Sequence, residues 1–199
     1  MFDQVNDFLT EEELEIVNKN ILSAEFPWFY QQHATSDLFP FFSHVIYARA
    51  FEGGDDNYTP ISNSTLSHWS KEIVNRYCTE RLGKPLQRIY RSCLNLTYGW
   101  NVPYPFIEPH VDHLFNHYNL LVYLNEVNYG GETLLFDKYY CEELEKANYT
   151  VDDYDKVSIL EKIPPKQGKV VCFDGRIFHG VNNFSSNQKR VILVTTFLA

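Results

Sequence analysis

The chain has 199 residues and a mass of 23.4 kDa, the size of one domain with a full core. Its formal net charge of −9, with no Lys/Arg run, argues against a polyanion binder, so no nucleic-acid partner is expected. No apolar run reaches the ~18 residues of a membrane span, Met1-Phe2-Asp3 opens with no basic n-region or apolar h-region, so no signal peptide is expected, and the four cysteines lack a C-x-x-C pair. The expectation is a cytoplasmic protein with reduced thiols and no membrane partner.

Taken in order, the chain opens with a helix-start signal. Thr10 is the expected N-cap, Glu13 its capping-box partner at N3, and Leu9 and Leu14 the staple. Leu14, Val17 and Ile21 follow at helical spacing and should face the core. Residues 26–40 are aromatic and irregular, and a strand is expected around His44 to Phe51. Glu52 to Asn63 carries Gly53-Gly54 and Pro60, which is loop chemistry. A second helix should run from about Ser64 to Leu82, with Leu66, Trp69, Ile73 and Tyr77 as its apolar stripe and Gly83 at its end.

Beyond Pro85 the pattern changes to strands: Leu86 to Tyr98, Asn119 to Leu124, Glu132 to Phe136, Val157 to Glu161, Lys169 to Phe173 and Arg190 to Leu198. Two helices followed by many short strands predict a mainly β protein with flanking helices, a double-sheet jelly-roll barrel. The expected organisation is one domain over 1–199, with helical support to about residue 85 and the barrel from about 86. Lys138 to Lys156 interrupts the strands as a mixed-charge insertion, read as a solvated loop with a candidate short helix from Cys141 to Ala147.

The chemistry concentrates at His110-Val111-Asp112. On a strand, residues i and i+2 share a face, so a distant third donor such as His179 would complete one face of a metal ion. Two imidazoles and a carboxylate leave three coordination positions open, an arrangement suited to non-haem Fe(II). By spacing alone, a chance H-x-D beside a satisfied core histidine remains open. So does a zinc hydrolase on the same ligands, although Glu108 is poorly placed as its general base, with Pro109 between it and His110.

The surrounding text resembles the prolyl 4-hydroxylase-like branch of the 2-oxoglutarate and Fe(II)-dependent dioxygenases. The similarity runs through Tyr98-Gly99, His110-Val111-Asp112, Leu121-Val122-Tyr123-Leu124-Asn125, Gly130-Gly131-Glu132-Thr133, Gly168 to Asp174, Phe178-His179-Gly180-Val181 and Lys189-Arg190-Val191. It implies a double-stranded β-helix fold, with His110, Asp112 and His179 as iron ligands and 2-oxoglutarate and O2 as cosubstrates. Ascorbate is a candidate reductant. Arg190, always charged and able to grip a carboxylate through two hydrogen bonds, is implied to bind the far carboxylate of 2-oxoglutarate. Tyr123, on one strand face with Asn119 and Leu121, and Tyr98 are implied to line that pocket. The implied reaction hydroxylates an unactivated C–H bond of a peptide, protein or amino-acid substrate, with release of succinate and CO2. A jelly-roll binding module without turnover is the alternative. His113 and His117 read as exposed residues after the metal motif, and His33, His44 and His68 carry no role.

Overall fold

Alternation along the strands sorts side chains to two faces of a large sheet, and each face finds a different partner. The computed structural model describes residues 1–49, 60–141 and 148–199. Among the described residues ten strands form two antiparallel sheets: β1 (Phe2–Val5), β2 (Phe29–Gln31), β3 (Phe41–Tyr47), β4 (Arg88–Tyr98), β5 (Tyr118–Tyr123), β6 (Thr133–Tyr139), β7 (Ile159–Ile163), β8 (Val170–Asp174), β9 (Ile177–Val181) and β10 (Lys189–Leu198). The large sheet has the order β1-β8-β5-β10-β4-β3-β2, and the small one β7-β6-β9.

On one face of the large sheet, Leu94, Leu120, Val122, Val170, Val191 and Leu193 bury against the helices α1 (Glu11–Ile16) and α2 (Ser67–Tyr77). On the other, Leu121, Tyr123, Val171, Phe173, Ile192 and Val194 meet Leu135 and Ile163 of the small sheet. This is the double-sheet jelly roll with flanking helices that the strand pattern implied.

Thr10 caps α1, and its reciprocal bonds with Glu13 complete the capping box. Glu13 also takes two hydrogen bonds from Arg76, both 2.7 Å, so the first turn of α1 is clamped to α2. α2 continues as a π-helical turn, Cys78–Leu82, and stops at Gly83 in the left-handed conformation (φ 63°), which glycine adopts without a Cβ clash.

Three strands escaped the sequence pattern: β1, β2 and β9. β1 and β2 are short edge strands, and β9 reads as Ile-Phe-His-Gly-Val, whose His-Gly dipeptide masks the alternation. β3 begins three residues before its expected start. The candidate helix from Cys141 to Ala147 and the loop core at 52–59 lie largely outside the described residues, and a short 3-10 turn, Val151–Lys156, follows the former. Among the described residues all four cysteines are free, and no helix is long and apolar enough to cross a membrane.

Gly99, just after β4, sits where a Cβ would lie 1.8 Å from the backbone oxygen of Phe184. The obstacle is backbone, so a side chain forces the two segments apart. Gly99→Ala should destabilise by roughly 1–3 kcal/mol, read as a fall of about 2–12 °C in Tm by differential scanning calorimetry.

Candidate active site

His110 lies on no regular strand, so the i, i+2 premise needs correction: His110 is a single bridge residue, and Asp112 sits in the bend that follows. His110 bridges Asn148 on one side and His179 of β9 on the other. Two backbone hydrogen bonds, His110 N–H to His179 O and His179 N–H to His110 O, close the second bridge at 3.0 Å each. Directly opposed residues project to one face, and the imidazole centroids stand 4.8 Å apart. The bend swings Asp112 inward until its Oδ2 is 3.4 Å from His179 Nε2. All three side chains line one cavity of about 480 Å³ between the sheets.

The histidine tautomers follow from their neighbours. His110 Nδ1 lies 2.9 Å from the Glu108 carbonyl, and His179 Nδ1 lies 3.0 Å from the Ile177 carbonyl. A carbonyl only accepts, so each Nδ1 carries a proton, and in the neutral ring the lone pair is then the Nε2 one, toward the cavity. Burial, reinforced by His179, pushes His110 down to about 4, which keeps it neutral and able to ligate at ordinary pH.

Burial would raise the Asp112 carboxyl, but His179, Arg91 and Arg49 outweigh it and hold it well below the usual carboxylate range. Its Oδ1 lies 3.4 Å from both guanidiniums, and its Oδ2 accepts from Asn119 Nδ2 at 3.1 Å. Among the described residues no three His, Cys, Asp or Glu side chains are positioned to hold a metal ion; Asp112 also faces the two arginines. The donor set nonetheless suits a divalent first-row ion. Bonds of about 2.1 Å need cis donors about 3 to 4 Å apart, which matches the His179–Asp112 distance.

Arg190 lies deeper on the same wall, 1% exposed, on the inward face of β10 with Ile192 and Val194. Its Nη2 donates to Thr133 Oγ1 at 2.8 Å, while its Nε is buried with no partner. No carboxylate among the described residues forms an ion pair with it. Tyr123 stands beside it: the guanidinium carbon is 5.5 Å from the ring centre, and the phenol donates to Thr133 Oγ1 at 2.6 Å. Thr133 therefore accepts twice, which leaves its own O–H to donate into the cavity.

Leu121 lines the cavity, and Asn119 lies buried behind Asp112 on the same face of β5. Tyr98 does not join them. Asn95 and Thr97 of β4 face the cavity, so strand alternation turns Tyr98 the other way, 44% exposed, into a separate groove with Tyr30 and Trp100. Two further readings need correction. His117 is buried, its Nδ1 on the Phe115 carbonyl, and His113 faces the cavity with Nε2 2.8 Å from Thr196 Oγ1. Glu108 is buried outside the cavity wall and serves His110 through its carbonyl, so it offers no general base for a hydrolase.

Arg49, Arg91 and Thr133 also line the cavity, although sequence reasoning did not single them out. Alternating polar residues in Arg91-Ser92-Cys93-Leu94-Asn95-Leu96-Thr97 were a usable signal for one of them. Thr133 was visible only as part of a motif, and nothing local marks Arg49.

Comparison with known proteins bears on this cavity. A family model described as the 2OG-Fe(II) oxygenase superfamily matches residues 99–198, which include every candidate ligand and Arg190. Solved structures are similar across nearly the whole chain. An oxidoreductase of the 2OG-Fe(II) oxygenase family from Burkholderia pseudomallei is 15% identical with a TM-score of 0.66, over 98% of this chain and 84% of that one. The epimerase SnoN, in complex with Fe3+, alpha ketoglutarate and nogalamycin RO, is 12% identical with a TM-score of 0.61, over 99% and 78%. A prolyl hydroxylase from Trichoplax adhaerens, in complex with a hypoxia inducible factor peptide fragment, is 20% identical with a TM-score of 0.56, over 98% and 83%. No curated protein matches.

The buried imidazoles set a pH dependence for the metal-free protein. His110 is lowered to about 4, and burial takes His113 to about 3, against an unfolded value of 6.5. Between pH 6.5 and 4 the unfolded chain therefore binds more protons, so stability falls as pH drops through that window. Asp112, held low, loses its stabilising effect only beneath it. Tm of protein stripped of metal should decline from pH 7 to pH 4.5, and His113→Asn should flatten the decline; a Tm constant over the range would contradict these environments.

Proposed function

This chain belongs to the 2OG-Fe(II) oxygenase superfamily, and from that membership we propose a hydroxylase acting on a peptide, protein or amino-acid substrate, with iron on His110, Asp112 and His179 and the far carboxylate of 2-oxoglutarate on Arg190. Membership makes it a dioxygenase dependent on Fe(II), 2-oxoglutarate and O2. Iron and 2-oxoglutarate together supply the oxidising chemistry: one oxygen atom of O2 enters succinate as CO2 leaves, and the other becomes the hydroxyl on the substrate carbon.

The observation that carries this reading is Arg190. A fully buried guanidinium without a carboxylate partner costs several kcal/mol, and its orphaned Nε demands an acceptor. It shares one cavity with the candidate metal donors. An elongated dicarboxylate that chelates a metal at one end and presents a carboxylate at the other suits such a cavity.

In this reading the chain's own residues perform four tasks. His110 and His179 present neutral Nε2 donors because their Nδ1 protons are committed to carbonyls. Asn119 orients the Asp112 carboxylate. Arg190 and the Thr133 hydroxyl, steadied by Tyr123, grip the distal carboxylate. The apolar inner wall of Leu121, Ile192 and Val194 limits water around the reacting carbon. The peptide held by the Trichoplax enzyme supports a peptide substrate, as does the resemblance of the text from about Tyr98 to Phe197 to prolyl 4-hydroxylases.

Succinate release should require both Fe(II) and 2-oxoglutarate. His110→Ala, Asp112→Ala and His179→Ala should each lower it more than ~100-fold, beyond the ~10–100-fold typical of outer-shell changes; persistent iron-dependent release in all three would refute the ligand assignment. Arg190→Gln should raise the KM for 2-oxoglutarate by roughly 10- to 150-fold, the worth of a charge-assisted hydrogen bond. Mass-spectrometric search for +16 Da products among peptides and metabolites identifies the substrate.

A further inference from the structure

The cavity holds a second cationic site. Arg49 and Arg91 both line it, at the side of Asp112, and each has one acceptor among the described residues, Asp112 Oδ1 at 3.4 Å. Arg91 projects from the inward face of β4 beside Asn95 and Thr97, with 18% of its side chain exposed; Arg49 is 48% exposed. A guanidinium carries five N–H donors in a rigid fork. Among the described residues, one oxygen at the outer limit of hydrogen-bond distance is the acceptor both forks share, which leaves most of their N–H groups free of a protein acceptor there.

Charge points the same way. The described cavity wall carries three guanidiniums and one carboxylate, an excess of two positive charges inside a protein whose net charge is −9. A divalent ion and a dianionic cosubstrate cancel each other and leave that excess in place. With one cosubstrate carboxylate set against Arg190, and the other together with Asp112 set against the divalent ion, both unmatched charges fall on the Arg49–Arg91 pair. Low-dielectric walls focus this field on whatever enters.

We propose that Arg49 and Arg91 form an anion subsite that holds a carboxylate of the substrate, so that the enzyme acts on small carboxylic acids or acidic residues and neutral analogues are rejected. The inference deepens the hydroxylase reading and rests on it. A carboxylate fits because the pair already converges on a carboxylate oxygen, and a fork binds a planar carboxylate in bidentate fashion. Since the pair touches Asp112, an anion held there sets the neighbouring substrate carbon beside the candidate metal. The two arginines then act as specificity-determining residues.

The test uses acetate as probe and Zn(II) as a diamagnetic occupant. Protein labelled with 15N-arginine, loaded with Zn(II) and 2-oxoglutarate, is titrated with sodium acetate and, separately, with acetamide, while arginine Nε–Hε signals are followed by NMR. Arg49→Gln and Arg91→Gln assign the two signals. Acetate should shift both saturably with half-saturation near millimolar, and acetamide at equal concentration should move neither. In Arg91→Gln the half-saturation seen at Arg49 should rise about tenfold or more, the loss of one charge-assisted hydrogen bond. An unresponsive pair, or equal shifts with acetamide, overturns the proposal. So does an acetate response abolished by 2-oxoglutarate, which assigns the pair to the cosubstrate instead. The same titration on metal-free protein separates the two readings: failure of Zn(II) to bind sinks the metal assignment, whereas the acetate response reads the arginine pair directly.

Discussion

Two backbone hydrogen bonds between His110 and His179 carry the geometry of the whole site. The residues are sixty-nine positions apart, and neither sits in a context that would position its ring alone. Pairing them face to face fixes the imidazole separation, and the carbonyls of Glu108 and Ile177 then fix the tautomers. The remaining donor is placed by a bend, because Asp112 must turn from the backbone line of His110 to approach His179 Nε2. A pleated strand would have kept the pair on one face without bringing the carboxylate toward a residue on another strand.

The electrostatics invert between surface and interior. The protein is acidic overall, yet its cavity wall is basic, with Arg49 and Arg91 near Asp112 and Arg190 deeper. Buried cations destabilise a fold unless something compensates them. Among the described residues Arg190 is met by the Thr133 hydroxyl and by the ring of Tyr123, whose phenol also bonds Thr133, with no ion pair to a carboxylate. Such an arrangement trades stability for binding, as functional sites do. The jelly roll permits it because one apolar layer packs behind the large sheet against the helices and another packs between the sheets, so the cations sit in a wall that is otherwise well packed.

Much of this was legible in one dimension. The capping box at Thr10 and Glu13 is a local hydrogen-bond pattern, and it forms as the residues indicate. The helix stop at Gly83 is equally local. Along β10, the run from Arg190 to Val194 alternates so that one parity meets the helices and the other faces the cavity; a period of two foretells which residues share a wall. The same rule, applied to β4, would have turned Tyr98 away from the cavity once Asn95 and Thr97 were known to face it.

The sequence by itself determined the strand-rich class, the helical support, and which residue types with metal-binding and carboxylate-binding chemistry the chain holds. Periodicity and capping act over a few residues, so they survive in the linear text. Only the tertiary structure decided that His110 and His179 are bridge partners, that Asp112 reaches them through a bend, that His117 is buried and His113 lines the cavity, and that Arg49 and Arg91 converge on one carboxylate oxygen. Those facts depend on sheet register and on segments tens of residues apart meeting across the cavity, and no local rule of backbone or side chain encodes such a meeting.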